Sequence, residues 1–142
     1  MENFVSQYKY TCELELVGNI EEALKTYLSK EEFINWHEDL IRVDDTDKDN
    51  EYYLVYLIKN LEMKMKVTEV EFLPPHYAKT IYEMPGVWNL CVDRFEKRGD
   101  NILWTMDVEF RFEEEQHLLI DAFIRKTYAG MNVFKYYFEN KI

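Results

Sequence analysis

Hydrophobic and polar residues alternate with a period of two in "QYKYTCELELV", where Tyr8, Tyr10, Cys12, Leu14 and Leu16 interleave with Gln7, Lys9, Thr11, Glu13 and Glu15. That period predicts a half-buried strand. The pattern then changes. "NIEE" offers Asn19 as a cap with Glu22 three residues on, and "SKEE" repeats the arrangement with Ser29 and Glu32. Both read as capping boxes that open short helices. The first helix presents Ile20, Ala23, Leu24, Tyr27 and Leu28; the second presents Phe33, Trp36 and Leu40, with Ile34 and His37 alongside. "LIRV" predicts a short strand before the acidic loop "DDTDKDNE".

Strand patterns dominate from there to Phe112. "YYLVYLI" meets "LEMKMKV" through Lys59-Asn60, a hairpin turn. Leu61, Met63, Met65 and Val67 share one parity, and Val70 and Phe72 fall on the other, so a bulge is expected near Glu69. Pro74-Pro75 ends this strand, "YAKTIYEM" begins the next, and Pro85-Gly86 makes another turn. "VWNLCVDRFE" and "NILWTMDVEFRF" then flank a hairpin at Lys97-Arg98-Gly99-Asp100. In the last strand Trp104, Met106, Val108, Phe110 and Phe112 face inward. The strand before it has two registers: one turns Trp88, Leu90, Val92 and Arg94 inside, the other Asn89, Cys91, Asp93 and Phe95.

The chain closes with a long helix, roughly residues 115 to 140. Stepping 100° per residue, Leu119, Ile120, Phe123, Thr127, Gly130, Phe134, Tyr137 and Phe138 form one apolar stripe opposite Asp121, Arg125, Asn132, Lys135 and Glu139. Gly130 lies within that stripe, at a cost of about 1 kcal/mol relative to alanine. Close approach of helix to sheet is the simpler account; space kept for a ligand is the other.

Composition narrows the function classes. At 142 residues the chain is expected to be one domain, 1–142, able to bury a core without disulfides or metals. A formal net charge of −11 argues against nucleic acid and against an anionic membrane surface. Cys12 and Cys91 stand far apart in strand-like contexts. With neither a signal peptide nor an apolar run long enough to span a bilayer, they are expected to be reduced thiols in a cytoplasmic protein.

The order of elements, carried by "ELVGNIEEALKTYLSKEEFINWHEDL", "VTEVEFLPP", "FEKRGDNILWTMDVEF" and "NVFKYYFEN", resembles the START-like, or SRPBCC, superfamily. That superfamily includes polyketide cyclase/dehydrase, lipid-transport and Bet v 1-like proteins, and the resemblance spans essentially the whole chain. Asn101-Ile102 stands where the family usually has Gly-Thr. The resemblance implies an α+β helix-grip fold, a curved antiparallel sheet of about seven strands around the C-terminal helix, with a cavity between them that takes apolar molecules.

On that fold the candidate cavity residues are Trp36, Met63, Met65, Trp88, Arg94, Trp104, Met106, Phe110, Phe123, Thr127, Gly130 and Phe134. Methionines and aromatics give adaptable apolar surface, although such stripes also simply fill cores. Arg94, Asp93, Asn89 and Glu69 are the polar residues available to such a space; an enclosed charge needs a partner, while at a strand end it reaches solvent. His37, His76 and His117 lack metal-ligand spacing, His37 lying beside Trp36. "DDTDKDNE" starts like a calcium loop but has Asn50 at the glycine position and Tyr56 at the closing glutamate, so a solvated loop is expected. Glu113-Glu114-Glu115 suits the start of the last helix through its dipole.

No nucleophile elbow or phosphate loop occurs, so no catalytic residue, cofactor or metal is assigned. The expected function is binding of a hydrophobic or amphipathic small molecule, lipid- or polyketide-like, by a monomer or homodimer without membrane insertion. The alternatives are a polyketide cyclase/dehydratase-like enzyme and a protein-interaction module with a collapsed cavity.

Overall fold

A computed structural model describes residues 3–141. The elements in chain order are β1 (Ser6–Val17), α1 (Ile20–Tyr27), α2 (Lys30–Trp36), β2 (Leu40–Asp45), β3 (Glu51–Ile58), β4 (Leu61–Leu73), β5 (Tyr77–Met84), β6 (Val87–Arg98), β7 (Asn101–Phe112) and α3 (Ile120–Glu139). The strands form one curved antiparallel sheet in the order β1-β7-β6-β5-β4-β3-β2. Among the described residues no helix is long and apolar enough to cross a membrane.

Turn chemistry sets the register. Lys59 and Asn60 both take positive φ, 51° and 66°, the two-residue hairpin geometry that matches strand twist. Gly99-Asp100 is likewise a two-residue loop, because Arg98 pairs with Asn101. This loop length decides the open register of β6. Phe95 pairs with Trp104 and Asp93 with Met106, so Asn89, Cys91, Asp93 and Phe95 face inward while Trp88, Leu90, Val92 and Arg94 face out. The bulge falls as expected between Glu69 and Glu71, after which Phe72 joins the inner parity opposite Ala78.

Asn19 caps α1, its Oδ1 accepting from the Glu21 N–H at 2.9 Å. Ser29 does not cap α2. Its hydroxyl donates instead to Glu31, and Glu32 accepts from Tyr137 Oη at 2.9 Å and from Lys141, so the second box is spent on tying α2 to the C-terminal helix.

The last helix begins at Ile120, not near Glu115. Residues 113–119 run across the end of the sheet with their backbone held by β1. Ser6 Oγ accepts the Gln116 N–H, and Tyr8 Oη donates to the Leu118 carbonyl at 2.9 Å. Groups held in this way cannot enter a helical ladder. The acidic run and His117 therefore precede the helix. Its buried line is Phe123, Met131, Phe134 and Phe138, so Met131 takes the sheet-facing place that the stripe gave to Gly130.

Candidate functional site: the hollow between sheet and C-terminal helix

The helix α3 lies along β1, the sheet edge. Tyr128 Oη accepts the Glu13 N–H, Lys135 donates to the Glu15 carbonyl, and Glu139 accepts the Val17 N–H. Midway, Tyr10 Oη and Thr127 Oγ1 lie 2.8 Å apart and share the Phe123 carbonyl. Phe134 is fully buried, its ring 5.0 Å from Trp36 and 5.6 Å from Trp104. These contacts anchor the helix to one side of the inner face. Toward β4, β5 and β6 an open hollow of about 620 Å³ is left.

Trp36, Met65, Trp104, Met106, Thr127 and Gly130 border this hollow. A Cβ added at Gly130 would meet no atom within 4 Å, so the close-packing account of that glycine is overturned: it faces open space at the rim. Phe134 lies beneath, in the core. Phe110 and Phe123 pack on each other, 5.6 Å between rings, and with Phe112 close the far end of the interface. Met63 shares the inner parity but sits toward the β3–β4 turn, 39% exposed, beyond the cover of the helix.

Two candidates are corrected by the register of β6. Trp88 and Arg94 stand on the outer face, where Arg111 stacks 4.5 Å from the Trp88 ring and Arg94 pairs with Asp107 in solvent. Sequence reasoning missed Tyr27, Tyr56, Tyr82, Cys91 and Met131 as lining residues, while Asn89, named among the polar candidates, and His37, named beside Trp36, also stand on the border. For Tyr82 the signal was weak, because its inner-face neighbours on β5, Ala78 and Thr80, are small and mask the alternation.

The polar inventory of the hollow is largely neutral. Lys126 and Glu38 carry charge at the lips, where both are exposed. Burial holds His37 down at about 4, so its ring is uncharged at neutral pH, with Nδ1 3.0 Å from Tyr56 Oη. Burial pushes Tyr56 up to about 12, and Tyr27, Tyr82 and Cys91 well above their ordinary values. Beneath them Asp93 is fully buried, one oxygen accepting from Trp104 Nε1 at 2.8 Å, the other with no partner among the described residues. Burial raises its carboxyl to about 7. Glu69, inward at the bulge, accepts from Tyr52 Oη at 3.0 Å. Both cysteines are free and buried, and among the described residues no three His, Cys, Asp or Glu side chains are grouped to hold a metal ion.

No protein-family model matches the sequence, and no curated protein matches it. Solved structures do. Ara h 8.0201 superposes with a TM-score of 0.77 at 6% identity, over 92% of this chain and 94% of that one. An uncharacterised protein from Rhizobium leguminosarum superposes at 0.71 with 16% identity, over 96% and 98%. The di-domain ARO/CYC StfQ of the steffimycin biosynthetic pathway superposes at 0.71 with 8% identity, over 92% of this chain and 50% of its own length. The fold is the helix-grip fold of START-like, or SRPBCC, proteins.

Proposed function

We propose that the protein binds a hydrophobic or amphipathic small molecule, lipid- or polyketide-like, in the hollow between its sheet and α3. The observation that carries this reading is the hollow of about 620 Å³ itself, walled by Trp36, Met65, Trp104, Met106 and Met131 and left unfilled by the protein's own side chains. Its volume lies in the range of small-molecule sites, and its walls are mostly apolar with a few polar groups. Fold neighbours that include a di-domain ARO/CYC support the same reading. An open hollow counts against an interaction module with a collapsed cavity. Native mass spectrometry of protein from its host cells tests the proposal, with an apolar compound expected to co-purify. Repeatedly empty protein that no apolar compound stabilises against heat would contradict it.

One observation favours a cyclase- or dehydratase-like enzyme as second reading. Burial first, and then charges that include that of Asp93, raise the pKa of Tyr27 and of Tyr82, so a carboxyl that itself titrates at about 7 lies within electrostatic reach of two tyrosines bordering the hollow. Such a group suits enolisation of a ketone. If the protein does not accelerate exchange of the α-protons of 1-indanone with D2O above the buffer rate, this reading falls.

A further inference from the structure

The hollow adjoins an enclosed recess of about 20 Å³, and four residues border both: Tyr27, Trp36, His37 and Tyr82. The remaining walls of the recess are Leu28, Phe33, Tyr52 and Leu54. A space of that size holds one oxygen atom or one water.

The groups around it are short of acceptors. The Trp36 Nε1–H is shut off from solvent and has no acceptor among the described residues. An indole N–H can only donate. The hydroxyls of Tyr27 and Tyr82 also have no side-chain partner among the described residues, and burial keeps both protonated. The Tyr52 hydroxyl is already committed to Glu69. Trp36 Nε1, dry and unpaired, carries a desolvation cost that an acceptor oxygen removes, and the two tyrosine hydroxyls are left to donate to the same oxygen.

Charge narrows the identity of that oxygen. The field of Asp93 reaches both Tyr27 and Tyr82, and Lys126, the one lysine or arginine on the border of the hollow, is exposed at the lip. A carboxylate seated in the recess would leave water for an apolar wall within the field of Asp93 and with no countercharge, whereas a neutral carbonyl oxygen accepts from the same donors without that penalty.

We propose that the recess is an acceptor site for a neutral carbonyl oxygen of the bound molecule, held by Trp36 Nε1 and the hydroxyls of Tyr27 and Tyr82, so that the ligand is a ketone-bearing apolar compound seated carbonyl-first. The inference rests on the hollow being a ligand site, and its test separates the two claims. Fluorene, 9-fluorenone and fluorene-9-carboxylate have one ring frame and differ at one carbon. Affinities are measured by calorimetry on the full chain.

The ketone is expected to bind about tenfold or more tighter than fluorene, as two or three new hydrogen bonds imply. The carboxylate is expected to bind more weakly than the ketone. The ketone-to-fluorene ratio is expected to fall to about twofold or less in Tyr82→Phe and in Trp36→Phe, which keep a ring but lose the donor. An infrared readout on the unaltered protein is independent of those variants: the carbonyl stretch of bound fluorenone should lie below its position in alkane solvent. Equal binding of ketone and hydrocarbon, an unshifted carbonyl, a ratio untouched by both substitutions, or tighter binding of the carboxylate overturns the acceptor site while the hollow still binds. Binding of none of the three overturns both claims.

Discussion

Asp93 and His37 make opposite demands on the folded state. The Asp93 carboxyl rises from 3.8 to about 7, so between those values the unfolded chain gives up a proton that the native protein keeps. Its contribution is whole below pH 4 and is lost as pH climbs to 7, by about 4 kcal/mol at most. His37 falls from 6.5 to about 4, so its contribution is whole above 6.5 and is lost as pH drops to 4, by about 3 kcal/mol at most. From pH 4 to 6.5 the two slopes oppose each other. Asp93→Asn removes one of them, and the stability difference between variant and parent should move in favour of the variant by up to about 4 kcal/mol between pH 4 and pH 8. Urea unfolding across that range measures it. A difference that does not change with pH contradicts the burial of an ionisable carboxyl. The sequence named Asp93 among the polar candidates but left its facing open, because either parity of "VWNLCVDRF" offers apolar partners; only the two-residue loop at Gly99-Asp100 decides.

At the scale of elements, α3 does two jobs: it satisfies the exposed edge of β1 with Tyr128, Lys135 and Glu139, and it roofs the inner face. Covering an edge in this way keeps it from pairing with another chain. Two glycines mark where the roof is tight and where it is loose. Gly18 has a φ of +150°, and a Cβ there would lie 2.7 Å from the Phe138 ring, whereas one at Gly130 would touch nothing. Gly18→Ala should therefore destabilise by about 1–3 kcal/mol. Gly130→Ala should stabilise by up to about 1 kcal/mol, as alanine does within helices. Thermal unfolding of both variants decides, and loss of stability in Gly130→Ala would mean the helix packs close at that point. The helix was legible from its period of 3.6, but its start was not. The acidic run suits a helix dipole, and nothing local reveals that Ser6 and Tyr8, far away in the chain, hold residues 116 and 118 out of the ladder.

At the scale of the whole molecule, the strands, the bulge and the helix pair follow from alternation and turn residues that agree with one another, whereas the curved sheet around the last helix was legible only through the resemblance in element order. The wall of the hollow was legible where parity was unbroken, as at Met65, Trp104 and Met106. It was lost where it depended on long-range register, as for Trp88 and Arg94, or on small residues masking alternation, as at Tyr82. The methionines now give a site-resolved test, because Met65, Met106 and Met131 border the hollow while Met84 lies at the end of β5, off its border. Methyl NMR of protein carrying 13C-methyl methionine, titrated with 9-fluorenone, is the most direct measurement. Progressive, saturable shifts at Met65, Met106 and Met131, with Met84 unmoved, are the predicted result. Saturation that moves Met84 and leaves the other three in place, or no shift anywhere, would contradict a ligand site between sheet and helix.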